Sequence, residues 1–373
     1  MAVGGVSFGG FPATEPGLQA GSRCIYAPEV SYSVGQEDKS ACPPAGAARI
    51  IAGIIPIQMQ NRLNQNDVSN RVNVEDAGQV RDTVVAMFAA RYPGADFAPL
   101  VQAFDDVKDL FEGRFPGYLG CDTLYHDARH TLDMTLAMAR LVEGHDRSHR
   151  GAEAIGPRRA ALGVVIALLH DSGYMRRSSE ADVENGAIFT KVHVSRSADF
   201  LSRYLPTIGF GHEAETAARL VHFTGYEMDV DDIKVSDPKD RLIGYMVGTA
   251  DLIGQMSDRM YLEKCREFLY QEFVLGSIAR ETLPDGREIV RYSSPEDLIY
   301  KTPGFYEYVA RDRINRKLGA ADRWAAAHFD GTNLYQIAID SNMSYLRDAI
   351  ENADLNRLRR TCYSLSQKSS KAA

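Results

Sequence analysis

His170 and Asp171 stand side by side at the end of an apolar run, Ala161-Leu162-Gly163-Val164-Val165-Ile166-Ala167-Leu168-Leu169. Burying an imidazole next to a carboxylate is costly without compensation, and a divalent cation is a common compensation. Imidazole nitrogen and carboxylate oxygen together suit divalent transition metals. His130 upstream, and His193, His222 and Asp251 downstream, each fall in a helical stretch of their own, which gives the order H…HD…H…H…D. Four of these residues, His130, His170, Asp171 and Asp251, are enough for a mononuclear site. His193 and His222 are surplus to one ion and make sense if a second sits beside the first, with the Asp171 carboxylate bridging both. Two ions about 3.5–4 Å apart can share a hydroxide and aim it at phosphorus. The remaining histidines, His145, His149, His212 and His328, lie in polar or undifferentiated surroundings and are read as ordinary surface or core residues.

A phosphate substrate needs further positive charge, best supplied by a planar guanidinium. Arg176 and Arg177 follow the His-Asp turn directly and lead the candidates, ahead of Arg129, Arg196 and Arg259. Gln255, four residues after Asp251, shares its helix face and points to the same pocket. No nucleophile–base pair of the Ser-His type and no phosphate-binding G-x-x-x-x-G-K-S/T loop stands out, so no covalent intermediate is expected.

Helices must carry these ligands. Apolar residues recur at helical spacing through 131–142, 159–170, 192–204, 212–223, 239–256 and 259–276, and again through 303–317, 318–328 and 333–352. Strand-like alternation is confined to a hairpin expected near Arg287–Tyr292, after the Pro-Asp-Gly turn at 284–286. The expected fold class is all-α, a helical bundle around one buried polar centre. Residues 1–47 are rich in Gly, Ala, Pro and Ser, and 1–70 are expected to form a poorly ordered arm available to a partner subunit. The helical domain is expected over 71–352, with its metal core at 125–280. A basic, flexible tail is expected at 353–373.

The chain has 373 residues, 45% hydrophobic and 25% charged, as expected of a soluble globular protein. A formal net charge of −8 argues against a nucleic-acid or membrane-surface binder. No stretch approaches the roughly 20 apolar residues needed to span a bilayer, and the N-terminus lacks the pattern of a secretory signal. Five scattered cysteines without a Cys-x-x-Cys fit reduced thiols in a cytoplasm.

Residues 125–280 resemble the HD superfamily of metal-dependent phosphohydrolases. Tyr125-His126-Asp127-Ala128-Arg129-His130, with Thr131-Leu132-Asp133, is similar to the Y-H-N-x-x-H-x-x-D signature of mammalian-type cyclic nucleotide phosphodiesterases. Val183-Glu184-Asn185 resembles their L-E-N, and Thr249-Ala250-Asp251-Leu252 with Glu272-Phe273 and Gly276 resembles their A-D-L…E-F…G stretch. The resemblance implies that His126 is the general acid for the leaving oxygen and that Glu184 is a carboxylate near the metal hydroxide. Two departures bear on substrate. Those enzymes carry a further His where this chain has Tyr174, and a Gln where Thr302 precedes Pro303-Gly304-Phe305. Thr cannot make the bidentate amide contact with a purine edge, although Phe305 could still form a stacking wall. Around His193 and His222 the chain resembles instead the bimetallic HD branch, which includes dinucleoside tetraphosphate hydrolases and HD-GYP phosphodiesterases.

The expected activity is hydrolysis of a phosphoester, of nucleotide type, by in-line attack of a metal-bridging hydroxide. The expected cofactors are two divalent ions, Fe or Mn ahead of Zn or Mg, and the expected partner is a small-molecule phosphoester. Nucleic-acid and membrane partners are not expected, and a homodimer remains open. Two alternatives remain: a mixed-valence di-iron oxygenase, which uses the same ligand order on the same fold, and a non-catalytic sensor that retains a metal.

Overall fold

A computed structural model describes residues 61–365. Its architecture is mostly helical. Three long helices form the centre: α3 (Ala128–Ser148), α4 (Pro157–Leu169) and α7 (Pro238–Ser257), which pack on one another. Each begins with a recognisable signal. Asp127 caps α3 by accepting from the His130 N–H, Gly156-Pro157 opens α4, and Asp237 accepts from the Lys239 and Asp240 N–H groups ahead of α7. Residues 129–146 of α3 and 160–169 of α4 are buried all round, as expected for helices enclosed by others. Close approach is possible because α7 presents Gly254 to α3, where an added Cβ would lie 3.1 Å from the Met134 Cα.

Helices α1 (Ala77–Arg91) and α2 (Ala98–Phe111) cover one side of this centre. Next in the chain come α5 (His193–Tyr204) and α6 (Ala214–Leu220), then α8 (Tyr261–Lys264) and α9 (Tyr270–Leu275), separated by a π-helical turn at Cys265–Leu269. The helix expected over 259–276 is therefore interrupted where Cys265 and Leu269 line the central pocket. Strands β1 (Arg280–Thr282) and β2 (Glu288–Val290) form the expected hairpin, with Arg280 opposite Val290 and Gly286 at φ 84° in the turn.

The helix expected from residue 303 starts earlier, as α10 (Pro295–Phe305). Ser294 caps it by accepting from the Asp297 N–H, and Pro295 occupies its first turn, so Pro303 falls inside the helix rather than at its start. π-helical turns at Tyr306–Ala310 and Arg313–Lys317 follow. Helices α11 (Arg323–His328) and α12 (Leu334–Glu351) complete the bundle.

The spans expected as arm and tail reach into packed chain. Asp67 accepts hydrogen bonds from the Ser69, Arg71 and Val72 N–H groups and pairs with the buried Arg140. At the other end, the Tyr363 hydroxyl donates to Glu75, and the Leu365 N–H donates to Asp127. These polar anchors carry no helical or strand periodicity and so leave no trace in a hydrophobic pattern. The remainder of the expected arm, residues 1–60, and residues 366–373 lie outside the described residues.

Candidate metal centre

The apolar run 160–169 ends where α4 ends, and His170 and Asp171 turn into a short 3₁₀ segment, Ser172–Tyr174. Gly173 fits there because the turn presses on α5: an added Cβ would lie 1.8 Å from the His193 carbonyl oxygen. The Gly173 N–H donates to Ser197 Oγ, and Arg196 Nε donates to the Gly173 carbonyl. This seam carries Asp171 to His193, while α3 and α7 bring His130 and Asp251 from the other side.

His130 Nε2, His170 Nε2 and an Asp251 carboxylate oxygen all lie within 4.8 Å of one another. The two imidazole nitrogens face each other at 3.3 Å. Asp251 Oδ1 is 3.3 Å from His130 Nε2, and Asp171 Oδ2 is 3.0 Å from His170 Nε2 and 3.4 Å from His130 Nε2. His193 Nε2 is 3.7 Å from the other Asp171 oxygen. His222 makes no contact with this group; it is half-buried, its Nδ1 has no hydrogen bond, and it does not line the pocket. Five of the six expected ligands are thus together.

Three features fit His130, His170, Asp171 and Asp251 to one divalent cation. Asp171 Oδ2 is buried without a hydrogen-bond partner, an arrangement that is costly unless something positive meets it. The Nδ1 atoms of His170 and His193 face the carbonyls of Ala167 and Thr190 at 2.8 and 2.7 Å, which leaves each Nε2 lone pair directed at the cluster. Finally, the cluster attracts positive charge. Burial disfavours the His170 imidazolium, but the Asp171 carboxylate outweighs that effect and raises the His170 pKa to about 9. Burial likewise opposes the Asp171 carboxylate, and the imidazoles of His170, His126 and His130 hold its pKa well below the usual range. A bound cation would take the place of that proton. His193, beside Asp171, has a pKa lowered by burial.

The cluster lies at the floor of a pocket that His126 also lines. His126 Nδ1 is 2.5 Å from Oε2 of the buried Glu272. Burial lowers the His126 pKa, but Glu272 more than offsets this and holds it above the ordinary histidine value. Tyr174 stacks against His126 and His193, each at 4.5 Å between ring centroids. Gln255 also lines the pocket, accepting from the Tyr125 hydroxyl and donating to Asp251 at 3.4 Å. Phe305 is part of the wall, with Phe273, Tyr292 and Leu298.

The expected phosphate-binding arginines are elsewhere. After Tyr174 the chain runs antiparallel to Tyr118, and Arg176 and Arg177 pair with Asp122 and Asp199 without lining the pocket. Glu184 is exposed and does not line the pocket; Asn185 anchors its turn by donating to the Asp122 carbonyl. The cationic side chains lining the pocket are instead Arg291, paired with Glu281, and Lys301, paired with Asp297. Glu272 had no role in the sequence reading beyond the matched E-F pair, because a carboxylate on a separate helix gives no spacing signal. Arg291 and Lys301 lacked any signal, since the hairpin and α10 meet the pocket only in three dimensions. Comparison of the chain with protein-family models, with curated proteins and with solved structures gave no match.

Proposed function

We propose that the protein is a metal-dependent phosphoester hydrolase whose divalent cation is held by His130, His170, Asp171 and Asp251. The observation that carries this reading is the meeting of two Nε2 atoms and two carboxylates at the floor of an open pocket, with the Glu272-held His126 facing the same space. A cation bound there supplies Lewis acidity towards phosphoryl oxygens and towards water.

The chain's own residues supply the rest. Glu272 accepts the His126 Nδ1–H and favours the imidazolium, whose remaining Nε2–H is the proton delivered to the leaving oxygen. Tyr125 and Gln255 brace Asp251 from behind. The aromatic wall of Phe273, Tyr292 and Phe305 excludes water and accepts a flat group attached to the phosphate.

The pocket lacks an activated covalent nucleophile among its described residues. Burial pushes the Cys265 thiol up to about 12, so it stays protonated at neutral pH. The Thr190 and Thr224 hydroxyls donate to the Ala187 and Val221 carbonyls rather than to a base. Direct attack by water is the route left by these groups.

The test is turnover of bis(4-nitrophenyl) phosphate by protein loaded with Mn²⁺, Fe²⁺ or Zn²⁺, read beside oxygen consumption. Ester cleavage that disappears in Asp171→Asn is the expected result. Oxygen uptake without ester cleavage would favour the oxygenase reading, and neither activity in any metal would favour a sensor.

A further inference from the structure

We propose that Tyr174 is a positioning residue whose ring sets the plane of the His126 imidazole; the proposal rests on the proton-donor role given to His126 above. The Nδ1 hydrogen bond to Glu272 fixes one point of the His126 ring but not its plane, because a ring held at one atom can still rotate. Tyr174 supplies the missing constraint. Its ring is 4.5 Å from that of His126 with only 19° between the planes, and it is 2% exposed.

The platform is itself immobilised. The Tyr174 N–H donates to the Asp171 carbonyl at 3.0 Å, which joins the ring's backbone to a metal-binding residue. The same ring stacks on His193 at 4.5 Å and 18°. On its carbonyl side, Gly186 approaches so closely that an added Cβ would lie 2.2 Å from the Tyr174 oxygen. Tyr174, Asp171 and His193 therefore form one packed unit, and His126 takes its orientation from that unit. A donor tied to the same unit as the metal-binding carboxylate keeps its alignment to the reacting phosphate.

The test compares Tyr174→Phe with Tyr174→Leu, which fills similar space without a flat ring and guards against mere collapse of the site. Diphenyl phosphate, whose leaving group needs a proton, is the demanding substrate, and bis(4-nitrophenyl) phosphate the undemanding one. We expect Tyr174→Leu to lower kcat on diphenyl phosphate by about 10²-fold with little change in KM, and to affect the nitrophenyl ester much less. Tyr174→Phe should restore kcat to nearly the wild-type value. In crystals of the metal-free protein, the His126 ring should keep the same plane in wild type and Tyr174→Phe, and should be turned or disordered in Tyr174→Leu. The proposal is overturned if Tyr174→Phe falls as far as Tyr174→Leu, which would assign the effect to the hydroxyl. It is also overturned if Tyr174→Leu keeps both kcat and the wild-type plane of the His126 ring. Should wild type turn over no phosphoester, the functional reading fails while the plane of the His126 ring in these crystals still decides the role of Tyr174.

Discussion

His126 and Glu272, separated by 146 residues, are joined by a 2.5 Å contact between Nδ1 and Oε2. The same carboxylate accepts from the Tyr125 N–H, so Glu272 holds both the imidazole and the loop that carries it. If His126 delivers a proton to the leaving oxygen, its importance must scale with leaving-group basicity. We expect His126→Asn to lower kcat on diphenyl phosphate by about 10²–10⁴-fold, and to lower it far less on bis(4-nitrophenyl) phosphate. Glu272→Gln should follow the same order with smaller losses. Equal losses on both esters would remove the proton-donor role.

The contact between Gly173 and His193 yields a stability prediction. A Cβ at position 173 would lie 1.8 Å from the His193 oxygen and 2.9 Å from the Arg196 Cβ, and backbone cannot yield as a flexible side chain can. Gly173→Ala should destabilise the fold by about 1–3 kcal/mol or more, read from denaturant unfolding. Metal affinity should fall with it, because the displaced turn carries His170 and Asp171.

A pH dependence follows from Asp67 and Arg140, which are buried together between the 67–72 turn and α3. Burial opposes the Asp67 carboxylate, but Arg140 and the Ser69 and Val72 hydrogen bonds hold its pKa well below the usual range. A carboxyl depressed on folding contributes stability above its unfolded pKa, and that stability is lost as pH falls through the folded value. Asp67→Asn should therefore cost about 3–5 kcal/mol at pH near 7, with the gap from wild type narrowing below pH of about 4. Urea titrations across that range check it; a gap independent of pH would contradict it.

Much of the helical architecture was legible, as a 3.6-residue apolar period where one face is buried, as in α2, and as an unbroken apolar run where the helix is enclosed, as in α4. The convergence of His130, His170, Asp171 and Asp251 was legible too, since one divalent cation would satisfy two imidazoles and two carboxylates together. What escaped depended on direction rather than residue type. Arg176 and Arg177 stand beside the His-Asp turn in sequence, yet the chain beyond Tyr174 pairs with Tyr118, and neither arginine lines the pocket. His222 lies in a short 3₁₀ turn after α6, and the spacing could not show which way that turn would point it. Conversely, Tyr174 entered the sequence reading only as a missing histidine, whereas its flat ring bears on two imidazoles.

The most direct measurement is metal content by mass spectrometry after anaerobic loading and desalting, on wild type and on Asp171→Asn and Asp251→Asn. Circular dichroism on the same samples controls for folding. The account predicts at least one tightly held transition ion per wild-type chain, with both variants folded and depleted of it. Wild-type protein that retains no divalent ion, or folded variants that retain it fully, would contradict the assignment of His130, His170, Asp171 and Asp251 as a metal site.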